Sequence, residues 1–171
     1  MIQTANYTKA EEKAKELLEE YVITEPVVRA DEIAQRKGLA IKYFRPDDNE
    51  GLKNASGFFD PNTRTIFVNY EDPPTRQLFT IAHELGHFEL GHNPKEYGVL
   101  YRFATPIDKD PKEQEANAFA ANLLVPEKML DETMKKYSFT NLDVIPLARL
   151  FGVSSEVMRY RLRWTRQNAN S

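Results

Sequence analysis

The apolar residues of this chain recur mostly three and four positions apart, which predicts a mainly helical protein. Three shorter stretches instead alternate apolar and polar residues, as strands do. The predicted helices cover residues 9–21, 28–37, 78–90, 111–125, 126–136, 142–151 and 155–165, and the predicted strands cover residues 39–44, 56–59 and 65–69.

Short local signals mark the ends of some of these elements. Thr8 and Glu11 form a capping-box sequence, so we expect the first helix to begin just after Thr8. Asp110, with a proline directly after it, is typical of a helix start. Gly86 lies inside a predicted helix, where glycine costs about 1 kcal/mol relative to alanine. Its presence predicts that another backbone passes close by.

The order of the elements predicts an α+β fold, in which a small antiparallel three-stranded sheet packs on a mostly helical body. Residues 60–64 carry the turn chemistry of a hairpin between two of the strands. We expect residues 1–140 to form the main domain, and residues 141–171 to form a C-terminal helical extension packed on that same domain. The last two helices, with Gly152 between them, resemble a helix-turn-helix pair.

Composition limits both the cellular compartment that we expect and the kinds of metal site that the chain can form. The sequence has no cysteine, which excludes disulfides and thiolate zinc sites, so a metal must be held by His, Asp or Glu. No apolar stretch approaches the roughly 20 residues that cross a bilayer, and the N-terminus lacks the pattern of a signal peptide. These observations predict a cytoplasmic protein without membrane association.

The net charge of −3 is unevenly distributed along the chain. Residues 147–171 contain five arginines and one acid, Glu156, so this segment carries +4 and the remainder −7. A basic segment of this kind is either a solvated helix face or a surface for nucleic acid or an acidic partner. We favour the solvated face, and direct binding of nucleic acid is not expected.

The candidate chemistry lies in the helix predicted over residues 78–90. His83 and His87 are four residues apart, so both imidazoles share one helical face and can bind one ion. Glu84 is turned about 100° from His83 and can reach a water molecule at that ion. This H-E-x-x-H pattern is typical of zinc peptidases. The alternative, two ordinary polar residues on an exposed face, is disfavoured because the chain has only three histidines.

A catalytic zinc takes a third protein ligand, for which three residues are candidates. Glu113 lies on the packed face of the next helix and is the favoured ligand, although it is also placed to complete a capping box at that helix start. Glu115 lies about 160° away by the 3.6-residue period and is expected to face solvent. His92 would point away from the other two histidines if the helix continued through it. Asn117, one turn after Glu113, is placed to orient one of the histidines.

Such a site predicts hydrolysis of a peptide bond. The metal would lower the pKa of a water molecule and polarise the carbonyl, while Glu84 would accept the proton and pass it to the departing amine. Tyr97, Tyr101 and Arg102 are candidates for stabilising the oxyanion. Residues 65–69 are either an edge strand that pairs with an extended substrate, or simply the second strand of a hairpin.

Several stretches of the sequence together carry a family resemblance. Residues 79–87 (FTIAHELGH), 113–120 (EQEANAFA) and 123–126 (LLVP), with the hairpin residues 56–59 (SGFF) and 66–69 (IFVN), resemble the ImmA/IrrE metallopeptidase family. The similarity spans residues 25–163. It implies a zincin-like fold of the gluzincin type, with His83, His87 and Glu113 on Zn²⁺ and Glu84 as catalytic base.

The resemblance also implies a substrate. Members of this family cleave helix-turn-helix transcriptional repressors encoded beside them, which releases genes of mobile elements or of a stress response. Two other functions stay open from the residues alone. One is a non-catalytic, metal-containing regulatory or DNA- or protein-binding module, and the other is hydrolysis of a small peptide or amide. Zn²⁺ and Mn²⁺ both remain candidates, and two histidines with one glutamate suit zinc best.

Overall fold

The computed structural model describes residues 4–48, 50–93, 100–101 and 110–169, and within these ranges every predicted helix and strand forms. The helices are α1 (Tyr7–Glu20), α2 (Ala30–Arg36), α3 (Pro74–Leu90), α4 (Pro111–Leu124), α5 (Glu127–Tyr137), α6 (Val144–Phe151) and α7 (Ser155–Ala169). The strands are β1 (Ala40–Phe44), β2 (Ala55–Asp60), β3 (Thr65–Asn69) and β4 (Leu100–Tyr101). Two 3-10 turns, Pro46–Asp48 and Glu50–Leu52, lie between β1 and β2.

The sheet is mixed, so the prediction of an antiparallel sheet is wrong in part. The strand order is β1-β3-β2-β4. Strands β2 and β3 form the expected antiparallel hairpin, whereas β1 pairs with β3 in parallel. The chain runs in one direction along β1 and in the opposite direction along β2, which lies on the far side of β3. The hairpin then brings β3 back in the direction of β1, so the neighbours β1 and β3 are parallel. Strand β4, which pairs with β2, falls in a stretch predicted as loop.

This strand order also decides between two interpretations of residues 65–69. Strand β3 lies between β1 and β2 and pairs with both, so it is an interior strand. The hypothesis of an edge strand that pairs with substrate is therefore wrong for β3. Its role is the structural one, the second strand of the hairpin.

The ends of two helices can be compared with their predicted signals. Helix α1 begins earlier than the capping-box sequence predicts, because the side chain of Asn6 accepts a hydrogen bond from the backbone N–H of Lys9 at 3.0 Å. Helix α4 begins where predicted. The side chain of Asp110 caps it by accepting a hydrogen bond from the N–H of Lys112 at 2.9 Å.

Helices α3 and α4 pack against each other at the centre of the fold, and α3 also contacts β2 and β3. The expectation of a close approach at Gly86 is confirmed. A Cβ atom on Gly86 would lie 2.8 Å from Cδ1 of Phe119 and 3.3 Å from the carbonyl oxygen of Ala116, both on α4. The missing side chain lets the two helices approach each other at this point.

Helices α6 and α7 supply apolar side chains to the same hydrophobic core, among them Leu147, Phe151 and Met158. Arg161 is fully buried with them, and its Nε donates a hydrogen bond to the carbonyl oxygen of Val125 at 3.0 Å. Burial lowers the pKa of Arg161. The interpretation of the C-terminal arginines as a solvated face is therefore wrong for this residue. The domain boundary at residue 140 and the helix-turn-helix likeness stay predictions.

Among the described residues, none of the helices combines the length and the apolar character that crossing a bilayer requires.

Candidate metal centre

Helix α3 carries the three residues of the H-E-x-x-H motif into the interior of the protein. His83, Glu84 and His87 are each no more than 1% exposed. A helical spacing of four places the two imidazoles one above the other, with ring centroids 4.7 Å apart. Both rings face α4, because each contacts Glu113 on that helix and His83 also contacts Asn117.

Glu113, in the first turn of α4, meets both histidines with its carboxylate. Its Oε2 lies 3.2 Å from Nε2 of His83, and its Oε1 lies 3.2 Å from Nε2 of His87. The two Nε2 atoms are 3.0 Å apart. Ligand atoms at about 2.0 to 2.1 Å from a tetrahedral zinc are separated from one another by about 3.3 Å. The three groups thus have nearly the spacing of three corners of such a site, and they could hold a metal ion.

The outer nitrogens of the two rings support the same interpretation. Nδ1 of His83 lies 3.0 Å from Oδ1 of Asn117, an acceptor, so this nitrogen carries the proton. Nε2 of His83 is then left with a lone pair that points at His87 and Glu113. Nδ1 of His87 likewise faces another group, Nδ1 of His92, at 2.9 Å. When both imidazoles are neutral and carry their protons on Nδ1, two lone pairs and the carboxylate converge in a way that fits a bound cation.

Burial and mutual contacts shift the pKa values of the three candidate ligands. Burial lowers the pKa of His83, but its hydrogen bond with Glu113 and the charges of Glu84 and Glu113 outweigh burial and raise it. Burial lowers the pKa of His87 to about 4, assisted by the charge of its neighbour. Burial raises the pKa of Glu113, but hydrogen bonds with the two histidines outweigh this and hold it well below its ordinary value. A divalent cation would supply positive charge here without a proton.

Glu84 lies beside the three candidate ligands and does not contact Glu113 through a hydrogen bond. Burial raises the pKa of the Glu84 carboxyl to about 7, against the opposing charge of His83. Within the described ranges of the chain, its Oε2 atom is buried and has no hydrogen-bond partner. A buried carboxylate oxygen of this kind is suited to bind a water molecule or another proton donor.

The two residues considered as alternative third ligands, His92 and Glu115, contact each other and lie outside the three converging groups. His92 contacts His87 and not the three converging atoms. The side chain of Glu115, expected in solvent, is only 13% exposed, and its Oε2 lies 2.9 Å from Nε2 of His92. The expectation that Glu115 faces solvent is wrong, because α3 does not continue to His92. It ends at Gly91, whose left-handed φ of 72° turns the chain so that His92 returns to His87.

The remaining predicted roles differ in outcome. The carboxylate of Glu113 faces the two histidines, while Asp110 caps α4 through Lys112, so the capping-box alternative for Glu113 does not describe its contacts. The spacing predicts that Asn117 orients one of the two histidines, and its contact in the structure is with His83. Of the candidates for stabilising the oxyanion, Tyr97 and Arg102 lie outside the described residues, and only the backbone of Tyr101 is described.

Comparison with known sequences identifies relatives. The family model of the IrrE N-terminal-like domain matches residues 35–163. The radiation response metalloprotease IrrE of Deinococcus radiodurans is 31% identical over 107 residues, which is 62% of this chain and 33% of that protein. The metallopeptidase ImmA of Bacillus subtilis is 31% identical over 113 residues, which is 65% of this chain and 64% of that protein. The match therefore spans about a third of the first relative and under two thirds of the second.

Two further similarities are weaker in sequence. The "uncharacterized immunity region protein 2" of Bacillus phage phi105 is 29% identical over 99 residues, 58% of this chain and 59% of that protein. A solved structure described as a Mycobacterium tuberculosis transcriptional regulator superposes with a TM-score of 0.61 over 90% of this chain and 46% of that chain. With only 18% identity, this second likeness shows a shared fold and no more.

Proposed function

This chain belongs to the ImmA/IrrE metallopeptidase family, and from that premise we propose that it is a zinc-dependent endopeptidase. The observation that carries the proposal is the convergence of His83 Nε2, His87 Nε2 and the Glu113 carboxylate at separations of 3.0 to 3.2 Å. These three residues are the proposed ligands. Three protein ligands would leave a zinc ion one position for water or substrate, as in catalytic zinc sites and unlike closed structural sites.

Glu84 is the proposed general base. A bound zinc ion supplies Lewis acidity, which activates water and polarises the peptide carbonyl. Glu84 accepts the proton of the attacking water and returns it to the departing amine. Burial favours the protonated form of Glu84, which helps the side chain to hold the accepted proton until the amine departs.

The proposed substrate is an intracellular protein, namely a helix-turn-helix repressor that controls a mobile element or a stress response. The family resemblance supports this assignment, as do two names among the relatives, since one is a phage immunity region protein and another a radiation response metalloprotease. We accordingly place the protein in the cytoplasm, where such a repressor would be met. The absence of cysteine is consistent with that compartment.

Replacement of Glu84 by glutamine tests the proposal. Glu84→Gln keeps the size of the side chain and removes the base, so zinc binding should persist while cleavage is lost. The matched control is Glu89→Gln on the same helix, because Glu89 faces Lys37 at 3.7 Å and not the histidines. That variant should cleave like the wild type.

The assay compares newly formed protein N-termini in cells that express the wild type, Glu84→Gln or Glu89→Gln. Termini present with the wild type and the control, but absent with Glu84→Gln, identify both the substrate and the cut site. Equal cleavage by Glu84→Gln and the wild type would refute the assignment of the base. If short peptides were hydrolysed with no protein substrate cleaved, the repressor assignment would fail.

A further inference from the structure

His87 is the first member of a chain of polar contacts that leads away from the proposed metal centre. Its Nδ1 lies 2.9 Å from Nδ1 of His92, and Nε2 of His92 lies 2.9 Å from Oε2 of Glu115. The other oxygen of Glu115 accepts a hydrogen bond from the backbone N–H of Asn6 at 2.7 Å. These contacts join the end of α3, the first turns of α4 and the start of α1.

The protons in this series of contacts can be assigned by starting from its two ends, His87 and Glu115. If His87 binds a metal through Nε2, its Nδ1 carries the proton and donates it to Nδ1 of His92. His92 then carries its own proton on Nε2, which it donates to the carboxylate of Glu115. In this arrangement every donor meets an acceptor. The reverse direction fails at the far end, because a carboxylate oxygen accepts hydrogen bonds and does not donate them.

We propose that His92 and Glu115 are positioning residues of the metal centre, which fix the tautomer and the ring orientation of His87. The inference rests on the proposed metal site. Metal-bound histidines generally donate their second N–H to a carboxylate or carbonyl, which fixes the ring and strengthens it as a ligand. Here a second imidazole stands between the ligand and the carboxylate.

The burial of the pair separates it from an ordinary surface contact. The side chains of His92 and Glu115 are 6% and 13% exposed, so water screens their interaction little. The two ligand histidines are also treated differently. His83 faces the amide oxygen of Asn117, whereas His87 is connected through His92 to the carboxylate of Glu115. The two rings are therefore held by outer partners of different kinds.

The contact with Asn6 gives the pair a second consequence. Helix α1 begins at Tyr7, so the N–H that Glu115 binds belongs to the residue that caps this helix. The position of the α1 start is thus linked to His87 through two side chains. A second hydrogen bond, from the hydroxyl of Tyr7 to Oε1 of Gln114 at 2.9 Å, joins the same two helices without touching His92.

Four variants test the assignment. His92→Phe keeps a ring but offers His87 no acceptor, and His92→Asn restores an oxygen near the position of Nδ1. Glu115→Gln replaces the carboxylate that accepts the hydrogen bond from His92 by an uncharged amide. Tyr7→Phe is the matched control, because it weakens the junction of α1 and α4 and leaves the contact between His92 and Glu115 in place.

Zinc affinity is measured by competition with a chromophoric chelator, and the visible spectrum of the cobalt-substituted protein reports the ligand field. We expect His92→Phe to lower zinc affinity about 10- to 100-fold and to alter the cobalt spectrum. His92→Asn should recover most of the zinc affinity. The affinity of Glu115→Gln should lie between those of His92→Phe and the wild type, and that of Tyr7→Phe should match the wild type. If His92→Phe does not fold, His92→Gln takes its place, since it keeps a donor for Glu115 but has no acceptor at the Nδ1 position.

The possible failures are distinct. Wild-type zinc affinity and an unchanged cobalt spectrum in His92→Phe or His92→Gln would overturn the positioning role and leave the proposed peptidase intact. An equal loss in Tyr7→Phe would overturn it as well, because the effect would then come from the helix junction. A wild-type protein that binds no zinc would overturn the proposed function itself.

Discussion

The contact between α3 and α4 at Gly86 gives a prediction that connects stability to the metal centre. Gly86 lies between His83 and His87 in sequence, and the atoms it faces belong to Phe119 and Ala116 on the helix that carries Glu113. Any atom added at Gly86 must push the two helices apart at the point where the proposed ligands meet. The substitution Gly86→Ala adds one such atom.

Two opposing terms set the magnitude for Gly86→Ala. Alanine in place of glycine in a helix interior stabilises by about 1 kcal/mol. The added Cβ would lie 2.8 Å from the Phe119 ring, closer than carbon atoms approach, and Phe119 is fully buried. Such overpacking costs about 1 to 3 kcal/mol. We therefore expect a net loss of about 1 kcal/mol in the free energy of unfolding.

The loss is measured by denaturant unfolding in excess chelator, so that metal binding does not contribute. The midpoint should fall with an unchanged slope, and Tm should drop by about 2 to 4 °C. Zinc affinity, measured separately, should fall as well, because the histidines and Glu113 are moved apart. Phe119→Leu should cost less in the Gly86→Ala background than alone. A rise in stability of Gly86→Ala, or additive effects in the double variant, would refute the packing argument.

Three further predictions concern single contacts and metal loading. Asn117→Ala should lower zinc affinity about 10-fold, because His83 loses its acceptor, whereas Asn122→Ala on the same helix, whose amide donates to a helix carbonyl, should not. Arg161→Ala should destabilise the protein by about 2 kcal/mol more than Arg161→Met, because methionine refills most of the buried volume. Equal losses of the two variants in the free energy of unfolding, measured with denaturant, would contradict this. Zinc at about 100 times its Kd should add about 2.7 kcal/mol, a rise in Tm of roughly 5 to 10 °C by scanning calorimetry that His83→Ala should abolish.

The sequence predicts those parts of the site that depend on the period of a helix. His83 and His87 share a face because they are four residues apart, and the packed face of α4 identifies Glu113 in preference to Glu115. The same reasoning gives a contact of Asn117 with one of the two histidines, which in the structure is His83. Each of these inferences needs only that one helix be straight and that one face be buried.

The parts that the sequence does not predict depend on where separate elements meet. The parallel pairing of β1 follows from its place beside β3 instead of β2, which no local pattern encodes. The pairing of His92 with Glu115 requires the helix to end at Gly91, so an argument that assumes a continuous helix misses it. Arg161 carries a polar side chain in a basic segment, and only the packing of α7 shows that it is buried.

The proposed ligands lie on both sides of the stretch that joins α3 to α4, residues 91–110. The ends of this stretch are held by the packing of the two helices and do not depend on its own length. The entropy lost in closing a connection between two fixed ends grows only with the logarithm of its length, and each doubling costs about 0.6 kcal/mol. Insertions that spare His92, β4 and Asp110 should therefore be tolerated, and new segments for recognising other substrates could be added while His87 and Glu113 keep their positions.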